Sequence, residues 1–244
     1  MKSPPSFGAS KPQRRIRIAD EPPYDPLNYD NLGASIYRAL MERVPIPINN
    51  FPVFNGAGIY AIYYTGEHRP YASYDVLAAA HHLQTWSKPI YVGKADPPGV
   101  RTGGRDLGNI GSKLADRMNQ HASSIRAAST TLNIDDFWCR YLIVEPVWIP
   151  LGEAIVINLA DPLWNVVVDG FGNHAPGKGR DKGMKPRWDT LHPGRRWAER
   201  LPDHSEDAAS IRKRIDSFFA GDTSARLLDV EQASEADSDE SKGG

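Results

Sequence analysis

The residues of this chain whose types and spacing could support chemistry form one ordered set. Tyr60 closes the tripeptide GIY and Tyr91 opens the tripeptide YVG, each within a β-branched and aromatic run that is typical of a strand. Arg117 and His121 are four residues apart, so a helix places both side chains on one face. Apolar neighbours on the same helix predict that this polar pair sits at the edge of a core and faces a cleft.

Glu153 and Asn165 complete the set. Glu153 lies in the first turn of an apolar helix that begins near Pro150, where a carboxylate either faces solvent or is held inward for a cation. Each residue taken singly has a plain structural explanation. The tyrosines fit as strand aromatics, the arginine and histidine as a solvated helix face, the glutamate as a partner of the helix dipole and the asparagine as a turn residue. Only the ordered combination favours a functional site.

A mixed α/β succession of elements must position this set. The apolar patterns predict strands over 58–64, 89–92 and 137–144. They predict helices over 31–44, 74–86, 112–128, 150–160 and 205–219. A loop over 99–111 contains five glycines, so its backbone can approach a ligand closely.

The composition describes an ordinary soluble chain. Its 244 residues are 40% hydrophobic and include six Trp and ten Tyr, which excludes a wholly disordered chain. The single cysteine, Cys139, excludes an intramolecular disulfide and a cysteine-based zinc cluster. Met1–Gly8 lacks an apolar segment, and proline and glutamate interrupt the most apolar stretch, 141–160. We therefore expect no secretory signal, no membrane span and a cytoplasmic location.

The net charge of −1 conceals two opposed segments. At first sight near-neutrality argues against a nucleic-acid-binding protein. However, residues 221–244 carry seven acidic and two basic residues, whereas residues 171–200 carry eight basic and three acidic ones. We expect a Pro-rich, charged N-terminal arm over 1–30 and a disordered acidic tail over 221–244. The chain between them is therefore basic, as DNA binding requires.

The ordered set resembles the GIY-YIG nuclease superfamily over roughly residues 55–166. GIY and YVG match the two defining tripeptides, and the spaced arginine and histidine, the helical glutamate and the asparagine follow in the expected order. The basic segment GFGNHAPGKGR and the later WDTLHPGRRWAERL are similar to the compact type II restriction endonucleases of this superfamily, of the subgroup that cuts CCGCGG. Two departures are YVG in place of YIG and the 31 positions between Tyr60 and Tyr91.

This resemblance implies an α/β (α+β) fold. Its centre would be a small, mostly antiparallel three-stranded sheet flanked by helices, with loop-rich insertions for DNA binding. The nuclease domain would span 31–220 with the catalytic core at about 55–166, and the long gap between the tripeptides would hold an insertion at about 67–88.

The resemblance also implies a single Mg²⁺ ion per active site, held by Glu153 together with water and phosphate oxygens. One carboxylate is sufficient, because Mg²⁺ commonly keeps several waters. Tyr60 would act as the general base or position the attacking water. A phenol of pKa about 10 needs help in that role, which a nearby cation such as Lys94 could supply by lowering its pKa. Tyr91 would orient the water or the scissile phosphate.

Three further residues would act on the phosphate and on the geometry of the site. Arg117 would hold the phosphate with its planar fork of donors. His121 would donate to the phosphate or share a proton with Tyr60. Asn165 would fix the geometry of the site.

Basic residues in glycine-rich loops are expected to contact double-stranded DNA, because cations there neutralise phosphates and displace counterions. The candidates are Arg105, Lys113, Lys178, Arg180, Lys182, Lys185, Arg187, Arg195 and Arg196. Within this set, Arg105, Lys185, Arg187 and Arg196 are candidates to read guanine in a GC-rich target. The alternative is that these loops only solubilise the chain. Trp188 and Trp197 are expected to hold the second basic segment against the core.

The leading hypothesis is therefore a Mg²⁺-dependent, sequence-specific type II restriction endonuclease. A palindromic target requires a two-fold homodimer, and a restriction enzyme requires a cognate DNA methyltransferase encoded nearby to protect the host DNA. The alternatives are a GIY-YIG nuclease of the repair or homing type, a catalytically silent DNA-binding module, and a simple α/β interaction protein.

Overall fold

The computed structural model describes residue 25 and the ranges 28–82, 86–97, 111–175 and 183–227. Seven helices occur in these ranges. They are α1 (Tyr29–Met41), α2 (Asp75–His82), α3 (Lys113–Ala127), α4 (Ile149–Ala160), α5 (Leu163–Val166), α6 (Arg187–Leu191) and α7 (Ala208–Phe219).

A four-stranded antiparallel sheet forms the centre of the described chain. Its strands are β1 (Ile46–Pro47), β2 (Gly58–Tyr64), β3 (Tyr91–Ala95) and β4 (Phe137–Ile143), in the spatial order β1-β4-β2-β3. β2 lies between β3 and β4, and all seven of its residues are buried. The register opposes Tyr60 to Gly93 on one side and to Tyr141 on the other.

The alternation of β2 divides the core into two clusters, because successive strand side chains point to opposite faces of a sheet. One set consists of Ile59, Ala61 and Tyr63, and the other of Tyr60, Ile62 and Tyr64. The first set packs with residues of α1 and α4, such as Leu40 and Val156. The second set packs with α3, α5, α6 and α7 and is much the larger cluster. Tyr60 therefore points into the larger cluster.

The predicted fold class is confirmed, with one addition to the sheet. All three predicted strands are present, and β1 adds a fourth that is only two residues long, too short to leave a signal in the sequence. β2 and β3 pair in antiparallel fashion despite the long segment between them. Ile90 continues this pairing, since its N–H donates to the carbonyl oxygen of Ile62 at 2.7 Å.

A buried carboxylate anchors the start of the segment between β2 and β3. The side chain of Asp136 is fully buried and accepts from the backbone N–H groups of His68 at 2.6 Å and of Arg69 at 2.8 Å. The backbone carbonyl of Asp136 accepts from the N–H of Thr65 at 2.9 Å. This segment therefore leaves the sheet along a fixed path.

The folded chain extends beyond two of the predicted boundaries. The sequence assigns residues up to 30 to an arm, whereas α1 begins at Tyr29 with Asn28 as its cap. The sequence assigns the tail to 221 onward, whereas the N–H of Leu227 donates to the carbonyl of Val166 at 2.8 Å and Arg226 pairs with Asp161. The rest of the predicted arm and tail, residues 1–24 and 228–244, lies outside the described residues.

Within the described ranges, no helix has the length and apolar character needed to cross a bilayer.

The glycine of GIY, Gly58, is required by the packing of β2 against β4. A Cβ atom at Gly58 would overlap the carbonyl oxygen of Leu142 on the neighbouring strand, and the φ angle of Gly58 is 156°. We expect Gly58→Ala to lower the free energy of unfolding by about 2–3 kcal/mol. Gly183→Ala is the matched control, because nothing lies within 4 Å of its added methyl group. Urea denaturation of both variants checks this, and equal stabilities would contradict it.

Candidate active site

A buried tyrosine–histidine hydrogen bond lies at the centre of the candidate site. Tyr60 comes from the middle of β2, and its ring is fully buried. Its hydroxyl lies 2.7 Å from Nε2 of His121, which α3 supplies from its buried face. The expected sharing of a proton between these two residues is therefore geometrically possible.

Burial keeps both partners neutral. It raises the pKa of Tyr60 well above 10, and the neighbouring Tyr91 raises it further, whereas Arg117 lowers it by charge and by a side-chain hydrogen bond. Burial lowers the pKa of His121 well below 6.5, and the positive charge of Arg117 adds to this effect. The hydrogen bond therefore joins two neutral groups, and the tautomer of the His121 ring sets which of them donates.

The role expected of Lys94 in lowering the pKa of Tyr60 stays a prediction. The pKa of Tyr60 is raised, and the cation that opposes this rise is Arg117 on α3. Nζ of Lys94 instead lies 3.1 Å from Oε2 of Glu153 and 3.9 Å from Oδ2 of Asp96. The Lys94 ammonium is therefore paired with the carboxylates of the site.

Glu153 faces the site from the first turns of α4. Its side chain is 22% exposed, and its negative charge contributes to the raised pKa of Tyr60. Of the two alternatives for this carboxylate, the structure favours the inward one, since it is paired with the cation of Lys94. No group of three or more potential ligands that could hold a metal occurs in the part of the chain described here. A partly exposed carboxylate nevertheless fits Mg²⁺, which takes one or two carboxylates and keeps several waters.

Arg117 is held by residues that the sequence reasoning did not assign to the site. Its Nη2 donates to the carbonyl oxygen of Gly172 at 3.0 Å, and its Nη1 contacts Nε2 of His174. Nη1 also donates to Gln120 at 3.3 Å. Gly172 and His174 lie in the basic segment, which the sequence reasoning considered only for DNA contacts. The guanidinium thus has a defined orientation beside Tyr60.

Phe171 joins the aromatic side chains of the site. Its ring stacks on His121 at 4.6 Å between centroids with an interplanar angle of 16°, and it meets Tyr91 edge-on at 4.9 Å. Tyr91 itself lies 5.3 Å from His121 and 6.2 Å from Tyr60. The only sequence signal for this role is the glycine on each side of Phe171, which permits close packing.

Two glycines allow this packing around the tyrosines. A Cβ atom at Gly93 would lie 2.7 Å from Cζ of Tyr60, directly across the strand pair. A Cβ atom at Gly172 would lie 2.6 Å from the hydroxyl oxygen of Tyr91. The last position of YVG is therefore glycine because the Tyr60 ring covers it.

Asn165 aligns the edge strand that carries Tyr91. Its Oδ1 accepts from the N–H of Val92 and its Nδ2 donates to the carbonyl of Val92, both at 2.8 Å. The neighbouring backbone N–H of Trp164 donates to the carbonyl of Ile90 at 2.8 Å. Asn165 and Trp164 together thus hold the backbone on either side of the Tyr91 position.

The predicted DNA-contacting residues fall into three groups. Arg105, Lys178, Arg180 and Lys182 lie outside the described residues. Arg196 is exposed and Lys113 partly exposed, which leaves both able to meet a ligand. Lys185, Arg187 and Arg195 are all engaged by carboxylates.

Arg195 is a correction to the prediction. Its side chain is buried and bound to Asp189, so it is part of the protein interior and does not present its donors to DNA. Arg187 pairs with Asp169 and Glu206, and Lys185 pairs with Asp203. These cations are largely neutralised within the chain.

A second buried tyrosine–histidine pair lies elsewhere in the larger cluster. The hydroxyl of Tyr74 lies 2.7 Å from Nε2 of His192, and Thr131 bonds Nδ1 of the same ring at 2.9 Å. Trp164 donates to the Tyr74 hydroxyl at 3.0 Å. Burial lowers the pKa of His192 to about 3. This pair binds only interior side chains and serves as an internal reference for the pair formed by Tyr60.

Comparison with protein-family models gives a match to the Eco29kI GIY-YIG domain over residues 52–219. The matched range contains every candidate site residue together with the segment that holds Arg117. Comparison with curated proteins gives no match.

The two buried neutral histidines make stability depend on pH. Below about pH 6.5 the unfolded chain protonates His121 and His192, whereas the folded chain does not, because their folded-state pKa values are lowered. The free energy of unfolding should therefore fall on acidification, by up to about 1.4 kcal/mol per pH unit for each histidine. Urea denaturation at pH 7.0 and 5.5 measures this loss. His192→Gln should lose about half as much, and a wild-type stability that does not change with pH would contradict the assignment.

Proposed function

The chain belongs to the Eco29kI GIY-YIG family of restriction endonucleases, and on this premise we propose that it is a Mg²⁺-dependent type II enzyme. It would hydrolyse phosphodiester bonds of double-stranded DNA at a palindromic, GC-rich site of the CCGCGG type. The observation that supports this most directly is the buried hydrogen bond between Tyr60 and His121, with Arg117 and Glu153 both close enough to influence the pKa of Tyr60.

The Tyr60–His121 pair would move a proton. Because His121 is neutral, its Nε2 can accept the Tyr60 proton at the moment when the phenol oxygen accepts one from the attacking water. The strongly raised pKa of Tyr60 makes a stable phenolate unfavourable, so a concerted transfer suits it better than prior ionisation. Tyr91, at the rim of the same aromatic group, would orient the water.

Arg117 would bind the scissile phosphate. Its planar donors match phosphate oxygens, and Gly172 and His174 already orient them. This position beside the Tyr60 hydroxyl brings the phosphate next to the proton-accepting oxygen. Developing negative charge on the phosphate oxygens would then be stabilised by a preorganised cation.

Glu153 would hold the Mg²⁺ ion together with water and phosphate oxygens. When bound, the ion neutralises phosphate charge and stabilises the leaving 3′ oxygen. The Lys94 ammonium forms an ion pair with the Glu153 carboxylate. Binding of the Mg²⁺ ion would therefore require this ammonium to turn away towards Asp96 or solvent. One carboxylate per site suits a hydrated ion of this kind.

A palindromic target calls for two copies related by a two-fold axis, with one active site for each strand. Among the predicted DNA-contacting residues that the structure describes, Lys113 and Arg196 are accessible, and the other predicted contacts would come from cations outside the described ranges. A cognate DNA methyltransferase encoded nearby would protect the host DNA. The family match supports restriction over the repair and homing alternatives.

Plasmid cleavage tests the proposed reaction. Wild-type protein with Mg²⁺ should yield discrete double-strand fragments, and EDTA should abolish them. Glu153→Gln should slow cleavage by roughly 100-fold or more, because it removes the ligand charge but preserves shape. Glu145→Gln, at an exposed position before α4, is the matched control and should cut normally. Nicking or smearing by the wild type would favour another kind of GIY-YIG nuclease, and normal cutting by Glu153→Gln would refute the metal assignment.

Tyr60→Phe tests the proton transfer. Loss of the hydroxyl should lower the single-turnover cleavage rate by roughly 100-fold or more and leave the Kd for DNA nearly unchanged. Tyr74→Phe removes the same group from the equivalent Tyr74–His192 bond, so it controls for the loss of a buried hydrogen bond. It should destabilise the fold but cut at a near-normal rate. Equal losses of cleavage in both variants would show that the hydroxyl of Tyr60 has no chemical role.

A further inference from the structure

We infer that the buried Asp189–Arg195 pair is a positioning device for the active site, which acts by holding the segment 170–174 against Arg117 and His121. This inference rests on the proposed nuclease function. Arg195 is predicted from the sequence to contact DNA, but in the folded chain its side chain is buried.

Arg195 uses all five of its N–H donors inside the protein. Nε and Nη2 bind the two carboxylate oxygens of Asp189, the first at 2.7 Å. The other three donors bind backbone carbonyls: Nη1 those of Phe171 at 3.1 Å and Asn173 at 3.2 Å, and Nη2 that of Gly170 at 2.7 Å. Three of the four consecutive residues from 170 to 173 are therefore bound to one guanidinium.

The guanidinium itself is firmly placed. It lies 4.5 Å from the ring centre of Trp188 and 4.7 Å from that of Trp197, so the two rings hold its planar group. Trp188 belongs to the larger core cluster, whereas Trp197 is only partly buried. A buried cation is costly unless it is paired and hydrogen-bonded, and any rotation of Arg195 would break several bonds at once.

The same short segment carries the groups that touch the active site. Phe171 stacks its ring on His121, the carbonyl oxygen of Gly172 accepts from Arg117, and His174 contacts Arg117. Arg195 grips the carbonyls of residues 170, 171 and 173, and the carbonyl of Gly172 between them is left for Arg117. The two arginines thus bind neighbouring carbonyls of one backbone.

The backbone of the segment is irregular, although the Phe171 ring is packed in the core. No helix or strand covers residues 171–175, and Gly170 has a φ angle of 98°. Within the segment, the backbone N–H of Asn173 donates to the carbonyl of Gly170 at 3.2 Å. Since irregular backbone is held mainly by side-chain contacts, Arg195 determines where the Gly172 carbonyl lies and hence how Arg117 is oriented.

Arg195→Lys tests this directly, because it keeps the charge but loses the planar fork. We expect the single-turnover cleavage rate to fall by roughly 10-fold to 100-fold, the scale of a misplacement of about 1 Å, with a Kd for DNA within about 2-fold of wild type. Arg214→Lys is the matched control: Arg214 is ion-paired with Glu206 but bonds no residue of the segment, so it should cut normally.

A double-mutant cycle with Arg117→Ala separates positioning from general loss of structure. If Arg195 acts through Arg117, Arg195→Lys should change the rate of the Arg117→Ala protein by less than about 2-fold. The inference would be overturned if the rate losses of the two single variants multiplied in the double variant. It would also be overturned if Arg195→Lys alone cut DNA at the wild-type rate. If Arg195→Lys does not fold, Asp189→Asn replaces it in the same cycle with the same two outcomes. Failure of the wild-type protein to cut would instead refute the proposed function.

Discussion

The structure depends on providing a hydrogen-bond partner for one tyrosine hydroxyl that is buried against the central sheet. Tyr60 lies in the central strand β2, which is buried on both faces, so its hydroxyl is shielded from bulk solvent. A buried hydroxyl without a partner costs free energy, and His121 supplies that partner from α3. The position of α3 across the sheet, the glycine opposite Tyr60 and the stacking of Phe171 on His121 all follow from accommodating this pair.

The Tyr60–His121 pair has a positively charged residue on one neighbouring helix and a negatively charged residue on another. Arg117 approaches the Tyr60 hydroxyl from α3, and Glu153 influences it from α4. The hydrogen bond between Tyr60 and His121 is neutral because burial shifts the two pKa values in opposite directions. A neutral proton-carrying pair between a fixed cation and a fixed anion suits a reaction in which water loses a proton and phosphate gains charge.

Sequence reasoning predicted the fold class and named most of the residues that the structure brings together around Tyr60, for a definite reason. The strands, the long helices and the ordered set from Tyr60 to Asn165 depend on local patterns of residues, and β2 shows its seven-residue run directly in the sequence. The residues it missed are Phe171, Gly172 and His174. They reach His121 and Arg117 from 50 or more positions away, through an irregular segment that has no periodic signal. The sequence also could not predict that the pKa of Tyr60 is raised, because the effect of burial outweighs that of the neighbouring cations.

The basic segment separates the two kinds of information. The sequence by itself determined that cations are concentrated between 171 and 200 and that the GIY and YVG glycines lie beside tyrosines, because residue type and spacing are local properties. Only the tertiary structure decided which cations face solvent. Arg195 and Arg196 are adjacent in the chain, yet the first is buried with five interior acceptors and the second is exposed. The physical reason is that burial and pairing depend on partners brought together by folding, such as Asp189 and the carbonyls of residues 170, 171 and 173, and not on the residues themselves.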